Sequence, residues 1–129
     1  MPLARQISGK GLKVALIEEG EIGGTCINAG CSPTKTMVAS AKVAYQVSRA
    51  SDFGVKVQGY TVDQKSVKKR KDYIIDLFRG GAVSGLKKAE NVEIIKGKGT
   101  FKSDKEIKVQ PAEGKSFTIG ADRLFINTG

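Results

Sequence analysis

Apolar positions follow several different rhythms along the chain. Pro2 to Ile7 lead into Gly9 and Gly11, good helix-stop residues, and so predict the end of a helix. Lys13 to Ile17 (KVALI) is a short apolar run without alternation, followed by Glu18 and Glu19. It predicts a buried strand in a parallel pairing. Gly23-Gly24 breaks the chain, and a segment from Cys26 to Lys35 follows with Gly30 and Pro33 inside it. From about Thr34 to Arg49 the period is helical, with Met37, Ala41, Ala44, Tyr45 and Ser48 on one face. The alanines there permit close approach of another helix or a flat ligand. Ser51 to Gly59 reads as a loop and Thr61-Val62-Asp63 as a helix start. A long amphipathic helix is predicted over about 65–88, with Val67, Ile74, Leu77, Phe78 and Leu86 inward. Gly80-Gly81 in its middle costs about 1 kcal/mol per glycine relative to alanine, which predicts a kink or a close packing contact. Beyond Asn91 short strands take over: 92–95, 99–102, 107–110, 116–119 and 124–126, with turn-like pieces at 102–105 and 111–114.

The length of 129 residues suits one domain. Lys and Arg number 22 against 13 Asp and Glu, a formal charge of +9. Eight basic and two acidic side chains lie between Lys65 and Lys88, which reads as a solvated helix face. With few aromatics and no nucleic-acid motif, no nucleic-acid partner is expected. No apolar run approaches the ~20 residues that span a bilayer, and the N-terminus lacks the apolar stretch of a signal peptide. The expectation is therefore a cytoplasmic chain without a membrane partner.

Two cysteines and no histidine exclude a four-ligand zinc site built by this chain alone, and no metal ligands are expected. The cysteines are spaced C-x4-C in GGTCINAGCSPTK, Gly23 to Lys35. Residues five apart in a regular helix lie about 8.7 Å apart at Cα. A disulfide needs less than about 7 Å. Cys26 and Cys31 therefore cannot bond within a regular helix, and Asn28-Ala29-Gly30 must loosen the backbone, with Gly30 supplying the freedom and Pro33 suiting the first turn of the helix that follows. Cys31 then sits near a helix N-terminus, where unpaired N–H groups favour a thiolate, and Lys35 adds positive charge one turn on. A reactive thiol beside a second thiol suits thiol–disulfide exchange. By spacing alone, two small buried hydrophobes fit equally well.

The thirteen-residue string as a whole resembles the signature of the pyridine nucleotide–disulfide oxidoreductases, GG-T/V-C-x-N-x-G-C-x-P-S/T-K. The similarity extends over the chain. KVALIEE resembles the second strand of the family's FAD fold, KGKGTF the strand passing the adenine, and RLFINTG the segment closing the first part of the FAD domain. The run from Thr34 through Ser40 and the Phe78-Arg79-Gly80-Gly81 stretch look most like the mercuric-reductase-like branch.

The resemblance implies an α/β fold: a partial, three-layer FAD-binding Rossmann-like domain. It would hold parallel strands, a redox-disulfide helix over 26–50, the long basic helix over about 65–88 and a small antiparallel β meander over 92–126. It implies Cys31 as the thiol nearest the flavin and Cys26 as the interchange thiol that attacks a disulfide or binds a metal-ion substrate. Glu18 would hydrogen-bond the adenosine ribose, in keeping with an acidic residue at the end of that strand. Gly23, Gly24 and Thr25 would let backbone approach the flavin and its phosphates. Lys35 would sit beside the reactive edge of the isoalloxazine, Gly99 would offer backbone to the adenine, and Thr128 and Gly129 would line the cofactor.

The sequence departs from the family at both ends. It lacks the first strand and the G-x-G-x-x-G that holds the FAD pyrophosphate. The nicotinamide domain, which would use NAD(P)H, and the interface domain of a homodimeric parent are absent too. A fragment inactive by itself is expected. The alternative is a non-catalytic remnant that keeps part of the fold without bound FAD, and a third reading is a basic binding module on the 65–88 helix.

Overall fold

The computed structural model describes residues 2–128. They form two compact units, one made of residues up to Gly24 together with those from Arg79 onward, the other of Thr25–Phe78.

In the first unit, helix α1 (Pro2–Ser8) ends where Gly9 N–H donates to Arg5 O, and the chain turns at Gly11, whose φ of 80° suits glycine. Strand β1 (Val14–Glu18) pairs in parallel with β2 (Val92–Lys96), in the register Val14↔Val92, Leu16↔Ile94 and Glu18↔Lys96. Ala4, Ile22 and Leu86 form a buried cluster, with Val14, Leu16, Val83, Val92 and Ile94 packed against it. Leu86 is 1% exposed, and burying such a side chain contributes about 1.5–3 kcal/mol. β1 is half-buried rather than buried, because the helices cover the face of Val14 and Leu16 while Ala15 and its register partner Glu93 remain exposed.

The meander is β3 (Lys98–Phe101), β4 (Glu106–Gln110) and β5 (Phe117–Gly120), antiparallel in the order β3-β4-β5 around the fully buried Val109. It is shorter than 92–126 at both ends. Residues 92–96 belong to the parallel pair, and 124–126 carry no strand, with Phe125 and Ile126 exposed. An apolar triplet becomes a strand only where another strand meets its backbone groups. Gly97, between β2 and β3, is buried, and a Cβ there would lie 2.8 Å from Gln110 O.

In the second unit the helix expected over 26–50 is two helices. α2 (Gly24–Asn28), which begins one residue before the unit does, stops at Ala29-Gly30, and α3 (Cys31–Ser48) starts three residues before the apolar period does. The polar string Cys31-Ser32-Pro33 hides this first turn from a hydrophobic pattern. The less exposed stripe of α3 runs through Thr36, Ser40, Ala44 and Val47, while Met37 and Tyr45 point outward. A short 3-10 turn (Ala50–Phe53) occupies the start of the expected loop and ends at Gly54, with φ 74°.

Helix α4 (Gln64–Lys87) begins after Asp63, whose carboxylate accepts from Lys65 N–H at 2.9 Å, Ser66 N–H at 3.2 Å and Ser66 Oγ at 2.6 Å. These bonds, the Ser66 hydroxyl foremost, hold the Asp63 carboxyl below its ordinary range. Within the second unit Arg70 Nη1 donates to Thr36 O at 3.1 Å, and Ile75 is buried. Leu77 and Phe78, expected inward, are exposed. The covered stripe of α4 passes instead through Val67, Lys71, Ile75, Arg79, Ala82 and Leu86 at helical spacing. Its cations are engaged: Lys71 with Asp72 at 2.5 Å and Arg79 with Glu21 at 3.6 Å. The helix runs unbroken through Gly80-Gly81, and a Cβ at either glycine would meet open space, so no close packing contact explains the pair. Among the described residues no helix is long and apolar enough to cross a membrane.

Candidate functional site

The candidate residues divide between the two units. In the first, Glu18 ends β1. Its carboxylate Oε1 accepts the Gly20 N–H at 2.8 Å, and its carbonyl accepts the Gly97 N–H at 3.0 Å. The Lys96 ammonium donates to the Gly20 carbonyl. Glu21 pairs with Arg79, and Ile22 is in the core cluster. Gly23 and Gly24 have φ of 133° and 68°, conformations that L side chains rarely adopt. Around Gly24 a Cβ would find open space, so backbone is accessible there. A Cβ on Gly99 would make ordinary contact with Ile107 Cγ2 at 3.4 Å and Ile17 Cγ2 at 3.5 Å. The glycine that sterics demand in KGKGTF is therefore Gly97, and the pattern alone does not distinguish the two. Thr128 is exposed and outside any regular element, and Gly129 lies outside the described residues.

In the second unit, Thr25 O accepts both the Ala29 N–H at 2.9 Å and the Gly30 N–H at 2.6 Å, closing α2 in a tight turn. A Cβ at Gly30 would stand 3.1 Å from Thr25 O and 3.5 Å from Cys26 Cα, so the absence of a side chain lets the backbone fold against the first cysteine. Cys31 is the first residue of α3, and Thr34 N–H donates to Gly30 O at 3.2 Å. Pro33 sits in this first turn, where a missing N–H costs little. Both cysteines are free thiols and exposed.

The hydrogen bond between the Cys26 and Cys31 side chains pushes the Cys26 thiol above its ordinary value. Slight desolvation and the charge of Cys31 add to this, while a backbone bond from Cys31 and the charge of Lys35 oppose it. Lys35 is exposed, one helical turn beyond Cys31. Lys96 is not singled out by the hydrophobic pattern, and no local signal marks its contact with Gly20, 76 residues away.

The sequence profile described as pyridine nucleotide-disulphide oxidoreductase matches residues 1–129. The chain belongs to this family. Among relatives of the pyridine nucleotide-disulphide oxidoreductases, dihydrolipoyl dehydrogenase of Chlamydia pneumoniae is 39% identical over 119 residues, covering 92% of this chain and 25% of the relative. The dihydrolipoyl dehydrogenase of Thermus scotoductus is 35% identical over 128 residues, covering 99% and 26%. Among solved structures, the HOCl-induced flavoprotein disulfide reductase RclA from Escherichia coli, in its Cu(II) complex, superposes with a TM-score of 0.82 at 31% identity. The match covers 99% of this chain and 25% of that one. The chain thus spans about a quarter of the length of the curated relatives it matches. Its mixed helices and strands with a parallel pair correspond to part of the FAD-binding, Rossmann-like domain of a flavoprotein disulfide reductase.

Proposed function

We propose that this chain is the flavin-side segment of an FAD-dependent, NAD(P)H-linked disulfide oxidoreductase whose electrons leave through Cys26 and Cys31. The observation that carries the reading is the pair of free, exposed thiols on either side of the break at Ala29-Gly30, inside the family's cysteine string. The flavin, when bound, would supply a two-electron reservoir for the thiols. The residues present suit such a group: an acidic side chain at the end of β1, open backbone at Gly24 with positive φ, and a lysine one turn from Cys31. Glu18 would hold ribose hydroxyls, Gly23, Gly24 and Thr25 would offer backbone to the phosphates and flavin, and Gly99 would offer it to the adenine. Lys35 would lie at the flavin edge, and Thr128 and Gly129 would line the cofactor.

With both cysteines reduced as thiols, each gives up its proton to water before it attacks, and each departing substrate thiolate takes one up; Cys26 attacks first, on one sulfur of a disulfide substrate. A mixed disulfide forms and the first substrate thiol departs. Cys31 then attacks the Cys26 sulfur and releases the second thiol. Two electrons and two protons have passed to the substrate, and Cys26–Cys31 is left as a disulfide. Nicotinamide chemistry belongs to the remaining length of a relative-sized protein, a cytoplasmic homodimer. A thiophilic metal ion is the second substrate reading. It is favoured by the resemblance of residues 34–40 and 78–81 to the mercuric-reductase-like branch, and by a structural relative at 31% identity solved as a Cu(II) complex.

Thiol titration with mass analysis tests the reading. Mild oxidation should remove both thiols of a chain that stays monomeric. Oxidation that gives only intermolecular dimers would overturn it. The 129-residue chain mixed with FAD, NAD(P)H and a disulfide or Hg(II) should not exceed the free-flavin rate. Turnover lost on Cys26→Ser and Cys31→Ser would instead make the segment an enzyme by itself.

A further inference from the structure

The turn after β1 contains a closed ring of polar contacts. Gly97 N–H donates to Glu18 O at 3.0 Å, Gly20 N–H donates to Glu18 Oε1 at 2.8 Å, and Lys96 Nζ donates to Gly20 O. Lys96 is the register partner of Glu18 across the parallel pair, so both side chains rise from the same face of the two strands. Gly20 is thereby held at both its polar groups, by an acid through its N–H and by a cation through its carbonyl. Its other neighbours reinforce the hold, since Glu21 meets Arg79 and Ile22 is buried. A glutamate at a half-buried strand end would otherwise sample several rotamers at a cost in ordering entropy. Bonding Oε1 to a fixed N–H selects one of them and leaves Oε2 available to accept from a hydroxyl.

We propose that Lys96 is a positioning residue that sets the Glu18 carboxylate for the vicinal diol of a ribose, acting through the Gly20 peptide. This rests on the reading that Glu18 binds ribose hydroxyls. Lys96 itself touches no ligand. Arginine can replace it, because a guanidinium also donates to a carbonyl, whereas the unbranched but uncharged methionine cannot.

The test uses the 129-residue chain, isotope-labelled, with two readouts. Hydrogen exchange of the Gly20 amide reports the ring directly. NMR titration with ADP and with 2′-deoxy-ADP reports the preference for an intact diol. Lys96→Met should speed Gly20 exchange and reduce the ADP preference, each by up to about tenfold, as expected for the loss of one charge-assisted hydrogen bond. Lys96→Arg should retain both. Faster exchange with the full preference intact would make Lys96 merely structural and overturn the proposal. Unchanged exchange would overturn it as well. Wild-type chain with no preference for Glu18→Gln to abolish would refute the ribose reading of Glu18, and the proposal with it. That outcome is distinct from a Lys96-specific failure, in which Glu18→Gln acts and Lys96→Met does not.

Discussion

Two glycine-containing turns carry the candidate chemistry, and they are held in different ways. The turn after β1 is tied from distant parts of the sequence: Lys96 to Gly20, Arg79 to Glu21, and the core cluster around Ile22. The turn between the cysteines is closed locally, by bonds between Thr25 and Gly30 and between Gly30 and Thr34. The first arrangement suits recognition, where a carboxylate must wait in one place for its ligand. The second suits chemistry in which two sulfurs alternate between non-bonded contact and a covalent bond, because a locally closed turn can adjust without disturbing the packing elsewhere. Rigidity is assigned by where a turn's partners lie in the chain, and its glycine content does not decide it.

The largest test of that contrast is Gly97→Ala. The added Cβ meets a backbone oxygen at 2.8 Å, so strands must shift at the point where Gly97 N–H holds Glu18. Denaturant unfolding should show a loss of about 2 kcal/mol. Gly80→Ala, where a Cβ meets open space, should instead stabilise by up to about 1 kcal/mol. Equal effects at the two glycines would remove the steric account of the first turn.

Gly30→Ala acts on the second turn. Its Cβ would press on Thr25 O at 3.1 Å, a contact that a small local shift relieves. A cost of about 1 kcal/mol is expected. Disulfide formation between Cys26 and Cys31 should slow about fivefold, read by the rate of thiol loss on oxidation. An unchanged rate would mean that the turn does not set the approach of the two sulfurs.

The smallest expected effect is on thiol reactivity. Cys31→Ala removes the hydrogen bond that chiefly raises Cys26, along with the charge of its partner. The Cys26 pKa should fall, so its thiolate fraction at a given pH below that value should rise. Alkylation by iodoacetamide over roughly pH 7–10 should then show a profile displaced to lower pH. Displacement to higher pH would contradict the bond to Cys31 as the chief cause of the raised Cys26 value.

Much of the fold is legible in the residue pattern. α1 stops at glycine, KVALI becomes β1 in a parallel pair, and α4 starts after Asp63 because a short acid there meets free N–H groups. The pattern misplaces the inward face of α4 at Leu77 and Phe78, because Lys71 and Arg79 occupy the covered stripe with acidic partners and a count of apolar residues passes over them. The strand expected over 124–126 fails for a related reason: β structure depends on a partner that local sequence does not contain. The break between the cysteines follows from helix geometry once a bond between them is required, with Gly30 to supply the freedom. The Lys96 contact does not, since it joins residues remote in sequence.

The parallel pair also dictates an order of events during synthesis. Val14 must find Val92, and all of Thr25–Phe78 is made in between. At roughly 5–20 residues per second, β1 leaves the ribosome several seconds before its partner exists. Through that interval Val14, Ala15, Leu16 and Ile17 are an unpaired apolar run, a template for pairing with the wrong chain. Lys13 on one side and Glu18 and Glu19 on the other bracket the run with charge, which discourages such encounters until β2 arrives. The glutamate at the end of β1 would then guard a nascent chain before it ever serves a finished one.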